Sequence, residues 1–347
     1  MNRRVLSILL GTAMLAAPLA LQAAPSADWK APKTAFGQPD ISGNWTNASL
    51  TPETRPPALA ERVVYTPEEV AKMEGRVKAE AAQDAKPTDP NAPPPTKGGD
   101  APPPGTRPEF AAAGGAVGGY NYGWLDPGGQ VMRVNGEART SILTTRNGRE
   151  PALKTGVTPI DMRAMYRDVY DNPENRSLGE RCVIGFGRNA GPPMLANGFY
   201  NNDYAIVQTP DAVAINVEMV HDTRMVRLNS QHRTDGFRPW MGDSIGRWEG
   251  NTLVVETTNI PQGQAYHGAW KDLVVTERFT RVAPGRLHYQ FSIHDPSRWE
   301  ADWGGEYEFH PMQGELYEYA CHEGNYALRN ILAGARTKEK DGGKAGS

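Results

Sequence analysis

Glu218, His221, Asp222 and Arg224 fall within seven residues. A carboxylate and an imidazole at one turn form an acid–base pair, because each shifts the other's affinity for protons. Arg224 adds a fixed positive charge that can stabilise developing negative charge. The competing reading is a turn whose Asp222 bonds backbone, with Arg224 on a solvated face. His322 and Glu323 directly follow Cys321, so a disulfide would fix the backbone that carries them; a lone histidine in such a place is more often structural. His232, near Trp240, is a further candidate base. His221, His232 and His322 show no HxH or HxxxH spacing, so no metal centre is expected from them. Gly242-Asp243-Ser244-Ile245-Gly246 fits G-x-S-x-G formally. A nucleophile elbow needs a strand-to-helix turn there, and the residues that follow, Arg247 to Thr252, read instead as a hairpin.

The elements that must position these groups are strands. From Asn201 to Asn330 β-branched and aromatic residues alternate with polar ones, and the breaks carry turn residues: Pro210-Asp211, His221-Asp222-Thr223, Gly250-Asn251. The fold expected is mainly β, an antiparallel meander of about eight to ten strands closing into a barrel or a strongly curved sheet. Along the run to His294, His288 and His294 share parity with Gln290 and Ser292, opposite Leu287, Tyr289, Phe291 and Ile293, and are expected to face solvent.

Upstream, Asp40 to Trp45 reads as a short first strand. Thr66-Pro67-Glu68-Glu69 has the capping-box pattern, with Val70, Met73 and Val77 on one helical face. Residues 84–119 are rich in Pro, Ala and Gly and are expected to form a flexible loop. Thr140 to Thr145 reads as a strand, Thr158 to about Tyr170 as a second short helix, and Tyr326 to Ala335 as a terminal helix. The chain divides on this reading into a signal segment (1–24), an N-terminal strand and helix (25–83), the loop (84–119), the β domain with its terminal helix (120–335) and a disordered tail (336–347).

Arg3-Arg4, an apolar run from Val5 to Leu21 and Gln22-Ala23-Ala24 have the layout of a cleaved secretory signal, which places the protein in the periplasm or outside the cell. No other segment is long and apolar enough for a stable membrane span. The formal charge of −3 gives no reason to expect nucleic acid. The only cysteines are Cys182 and Cys321, and in an oxidising compartment such a pair forms a disulfide.

Gly43-Asn44-Trp45 and Gly246-Arg247-Trp248 each resemble the Gly-x-Trp of lipocalin-like barrels. Together with Pro39 to Trp45, Arg139-Thr140-Ser141, Glu180-Arg181-Cys182, Glu218 to Arg224, Gly242 to Val255, Glu277 to Arg281 and Tyr317 to Asn325, the chain is similar to a family of exported bacterial proteins of unassigned activity. That resemblance implies a common fold and a polar site in which Glu218, His221, Asp222, Arg224 and His322 act, and Trp240, Asp243, Trp248, Glu277 and Glu323 contact the ligand. It is weakest over residues 260 to 271, where Gln262, Tyr266 and His267 are individual to this chain.

Burying charged groups is costly unless they are paired, so the five acting residues are expected to share one partly buried pocket flanked by Trp240 and Trp248. Two functions compete. The first is an acid–base enzyme (isomerase, lyase, hydratase or hydrolase type) acting on a small, partly apolar organic molecule; no nucleotide or flavin fingerprint is present, so no such cofactor is expected. The second is a lipocalin-like carrier of an apolar ligand. Convergence of Glu218, His221 and His322 in one pocket distinguishes them.

Overall fold

The computed structural model describes residues 29–84, 128–159, 170, 172–185, 191–195 and 202–341. The signal segment, the Pro/Ala/Gly-rich loop beyond Asp84, Tyr120 to Trp124 and the body of the helix expected from Thr158 lie outside the described residues.

Nine strands close into a barrel. They are β1 (Gly43–Thr46), β4 (Asp203–Gln208), β5 (Ala212–Val217), β6 (Thr223–Leu228), β7 (Asp243–Glu249), β8 (Thr252–Thr258), β9 (Val274–Ala283), β10 (Arg286–His294) and β11 (Trp303–Pro311). The short hairpin β2 (Arg133–Val134) and β3 (Glu137–Ala138) forms a sheet of its own against β11, where the Asn135 amide donates to Glu308. It turns through Asn135 and Gly136, both at positive φ, as a two-residue hairpin requires. The alternation read from the sequence becomes an inside and an outside. Val213, Ile215 and Val217 of β5 point inward, as do Leu287, Tyr289, Phe291 and Ile293 of β10. His288 and His294 lie on the outer parity, bonded to Glu306 and Asp302.

The meander is not antiparallel throughout. β6 and β7 run parallel, with Val226 opposite Ser244 and Leu228 opposite Gly246. The cause is arithmetic: strand directions can alternate around a closed ring only if the strand number is even, so a ring of nine must contain a parallel neighbour pair. The segment from Asn229 to Gly242 carries the chain back along the barrel to make it.

Two other expectations need correction. Thr140 to Thr145 is not a strand. Its amides serve three different partners, with Ile142 bonding Pro52, Leu143 bonding Glu53 and Thr144 bonding Gly304, so no continuous ladder can form. The terminal helix, α2, spans Ala327–Lys340 and so runs past Ala335, with Arg336 paired to Glu339 on its surface. The N-terminal helix, α1 (Pro67–Asp84), starts at the expected box: Thr66 N–H donates to Glu69, and Glu69 N–H to the Thr66 hydroxyl.

Cys182 and Cys321 form a disulfide across a sequence separation of 139 residues. It ties the segment between β1 and β4 to the segment leaving the last strand. Replacing Cys182 by serine is expected to lower stability by about 2–4 kcal/mol, chiefly by freeing the unfolded chain; urea unfolding against the oxidised parent measures it.

Candidate functional site

The sequence-predicted residues occupy several separate places. Arg224 lies at the centre of the barrel, fully buried, with both guanidinium ends on the Glu277 carboxylate; the Nη2–Oε1 distance is 2.9 Å. Register explains this, because Arg224 shares inward parity with Val226 and Leu228, and Glu277 with Val275 and Phe279. The Tyr289 hydroxyl donates to Glu277 at 2.8 Å and accepts from the Met194 amide at 2.8 Å. The Tyr307 hydroxyl donates to the Met194 carbonyl at 2.6 Å, and Asn47 donates to Tyr204 and Tyr307. Residues 191–195 thus carry Met194 into the barrel as a plug held at both backbone ends. Burial would lower the Arg224 pKa, but Glu277 outweighs it and holds the guanidinium charged, while burial pushes the Tyr204, Tyr289 and Tyr307 hydroxyls well up. This network is satisfied from within the protein, apart from Arg224 Nε, which has no hydrogen-bond partner.

The Glu218–Asp222 turn stands at the rim beside the start of β6. Glu218 is buried and accepts from the Tyr317 amide at 3.2 Å. His221 is exposed. Val220 and His221 both have positive φ, at 60° and 46°, a costly conformation for a β-branched residue. Burial raises the Asp222 carboxyl, with a bond to Trp240 and the nearby His221 acting against it.

Asp243 belongs to neither group. It accepts from Arg227 at 2.7 Å and from the Arg233 amide at 2.7 Å, and meets His232 Nδ1 at 3.0 Å, while His232 Nε2 reaches Glu256 at 3.1 Å. This cluster clamps the return segment onto β7 and β8. Ser244 is buried on β7, bonded to Thr257 at 2.8 Å, so the formal G-x-S-x-G holds no exposed nucleophile. Trp248 pairs opposite Leu253 toward the barrel end remote from Asp243, so it cannot flank a pocket with Trp240. His322 and Glu323 are exposed beyond the disulfide. The expected single pocket is therefore divided: Arg224 with Glu277 inside, Glu218, His221, Asp222 and Trp240 at the rim, Asp243 on the outer wall.

Burial alone would raise the Asp243 carboxyl, but the Arg233 amide, Arg227 and His232 hold it below the ordinary aspartate range. A carboxyl with a depressed folded pKa stabilises above its unfolded value, near 4, and loses that contribution as pH falls through the folded value. Asp243→Asn is therefore expected to flatten the fall of the melting temperature below about pH 4, read by scanning calorimetry across pH. An unchanged acid limb would remove Asp243 from the acid response.

The structure brings together a different cluster. Glu53, Glu150 and His267 converge at the same barrel end, each partly buried, with ligand-type atoms all within 4.8 Å of one another. Three distant segments build it. Gly305 admits the crossing segment 142–144, since an added Cβ there would lie 2.7 Å from the Ile142 carbonyl. The Leu143 amide then fixes the Glu53 carbonyl at 3.0 Å. Buried Arg55 ties the next turn through Thr140, Ser141 and the Arg146 carbonyl, and the chain reaches Glu150 before Leu153 bridges Trp299. His267 and Gly268, at φ 47° and 82°, form the centre of a tight turn closed by reciprocal Tyr266–Ala269 bonds of 2.8 Å.

His267 Nδ1 contacts Glu150 Oε1, and its Nε2 lies 3.9 Å from Glu53 Oε1. Tyr266 stacks on the imidazole at 4.4 Å and donates from its hydroxyl to Glu53 at 3.1 Å. Trp299 Nε1 donates to the other Glu150 oxygen at 3.2 Å. Sequence reasoning singled out Tyr266 and His267 as individual to this chain and missed both glutamates; the signal within reach was the His267-Gly268 pair, a two-residue turn sequence with a titratable group at its tip.

No family model matches the chain, and no curated protein matches it. Among the described residues, no helix is long and apolar enough to cross a membrane.

Proposed function

We propose that the protein is an exported enzyme that moves protons on a small, partly apolar organic molecule, with Glu53, Glu150 and His267 as its reaction centre. The observation that carries this is one imidazole set between two carboxylates, with 30% of its side chain and 27% of each carboxylate side chain still open to solvent. A base must be within reach of its substrate, and its own orientation must be fixed. Here Glu150 orients the ring, and Tyr266 and Trp299 orient the glutamates. Tyr266, Trp299 and Trp303 are buried behind the cluster and hold it against the core. The disulfide suits an oxidising compartment, in keeping with export and with the resemblance to exported bacterial proteins.

The carrier reading has less support. The barrel interior is filled by Tyr204, Phe279, Tyr289, Tyr307 and Phe309, with neighbouring ring centroids 4.9–5.8 Å apart, where a carrier would keep a chamber. The test is turnover of a panel of lactones, esters, enones and α-hydrogen carbonyl compounds in deuterated water, followed by mass spectrometry. Turnover or deuterium uptake that disappears in Glu150→Gln supports the reading. Turnover indifferent to that change places the chemistry elsewhere, and inertness toward every class removes it.

A further inference from the structure

We infer that Glu53, Glu150 and His267 form the protein ligands of a divalent cation of the zinc and manganese class. The inference rests on the same cluster being the working centre, and it names what that centre holds. Two carboxylate oxygens and an imidazole nitrogen lie within 4.8 Å of one another, the donor types and the spread that a single divalent ion can draw together.

The donor types choose the ion. One nitrogen and two carboxylate oxygens suit zinc, manganese or ferrous iron, whereas calcium and magnesium prefer an all-oxygen shell. Three protein ligands leave coordination positions open, the pattern of reactive rather than structural sites. Metal–ligand bonds near 2.0–2.2 Å put tetrahedral ligand atoms roughly 3.3–3.6 Å apart. The cluster therefore needs only a small contraction, with His267 exchanging its contact to Glu150 for the ion.

Two observations outside the three ligands agree. Each glutamate has an outer partner from a different part of the chain, Tyr266 on Glu53 and Trp299 on Glu150, as metal-binding carboxylates require to stay oriented. The ring of Trp303 stands 6.4 Å from that of His267 and edge-on to Trp299, and its buried indole N–H has no hydrogen-bond partner. A buried donor left without a partner is rare and costly. With an ion in place, the base of the proposed reaction becomes water bound to it, whose proton is released near neutral pH.

The experiment is calorimetric titration of the full, oxidised, chelator-treated chain with Zn²⁺ and with Mn²⁺, alongside Co²⁺ absorption in the visible. One ion per chain is expected. Glu150→Gln and His267→Ala should abolish that binding, and Tyr266→Phe, which removes only the hydroxyl on Glu53, should weaken it about 10–100-fold. Unchanged melting temperatures in these variants separate lost ligands from lost fold. No binding by the wild type, or binding that survives both ligand substitutions, overturns the inference. The reaction panel fails separately: an ion bound without turnover leaves the site standing alone, and His267-dependent turnover in excess chelator keeps the reaction and removes the ion.

Discussion

Arg224→Ala is expected to destabilise the barrel by about 3–5 kcal/mol, the loss seen when one partner of a fully buried ion pair is removed. Neither Arg224 nor Glu277 has any exposed side-chain surface. The substitution leaves the Glu277 carboxylate buried with only the Tyr289 hydroxyl as donor, and an ionised carboxylate held by one neutral hydrogen bond in the interior is strongly disfavoured. Glu277→Ala should cost a similar amount by stranding the guanidinium. The double change Arg224→Met with Glu277→Leu is the informative control. It removes both charges at similar volume and should recover most of the loss. Equilibrium urea unfolding of the four proteins closes a double-mutant cycle, and a loss below 1 kcal/mol for the single change would show that the pair is hydrated.

His267→Ala is expected to reduce turnover about 10²–10⁴-fold, the usual contribution of a positioned acid–base group, while the melting temperature stays nearly unchanged. The ring is partly exposed and sits at the tip of a turn that the Tyr266–Ala269 bonds close without it. Its loss therefore removes chemistry more than packing. Gly268 keeps the backbone freedom the turn needs, and alanine at position 267 keeps the same φ of 47° that histidine already holds, so that strain is common to both and largely cancels in the difference. His267→Gly relieves that strain and should be as inactive and more stable. Initial rates and thermal melts on both variants separate the two effects. Full activity in either would remove His267 from the reaction.

The strands were legible because a period of two survives in sequence whatever the strands pair with. The parallel seam was not, since β6 and β7 carry the same alternation whichever way they run, and only the count of staves around the ring forces one pair to match. Arg224 and Glu277 were half legible. Both sit on the apolar parity of their strands, between Val226 and Leu228 or Val275 and Phe279, and a charge at such a position must be buried against its opposite. Reading the turn residues Glu218, His221 and Asp222 together with Arg224 as one group ignored that parity, which sends Arg224 into the barrel while the turn stays at the rim. The Glu53–Glu150–His267 cluster was illegible for another reason. Its members come from three connections far apart in the chain, and connections carry no periodicity from which their meeting can be computed.

β1 has four residues and is held by Ile206 to Asp203 on one side and by His310 and Pro311 on the other. In folding terms it is the keystone of the ring. The hairpins from β4 to β6 and from β7 to β11 form between sequence neighbours and need little loop closure. Joining β1 to β11 brings together residues separated by most of the chain, at a far larger entropic cost before any contact repays it. Until that happens β4 and β11 present open edges, the form in which a sheet most readily pairs with another molecule. Of the barrel's nine staves, the one synthesised first is thus expected to be the one set last, with a four-residue strand then covering the two open edges.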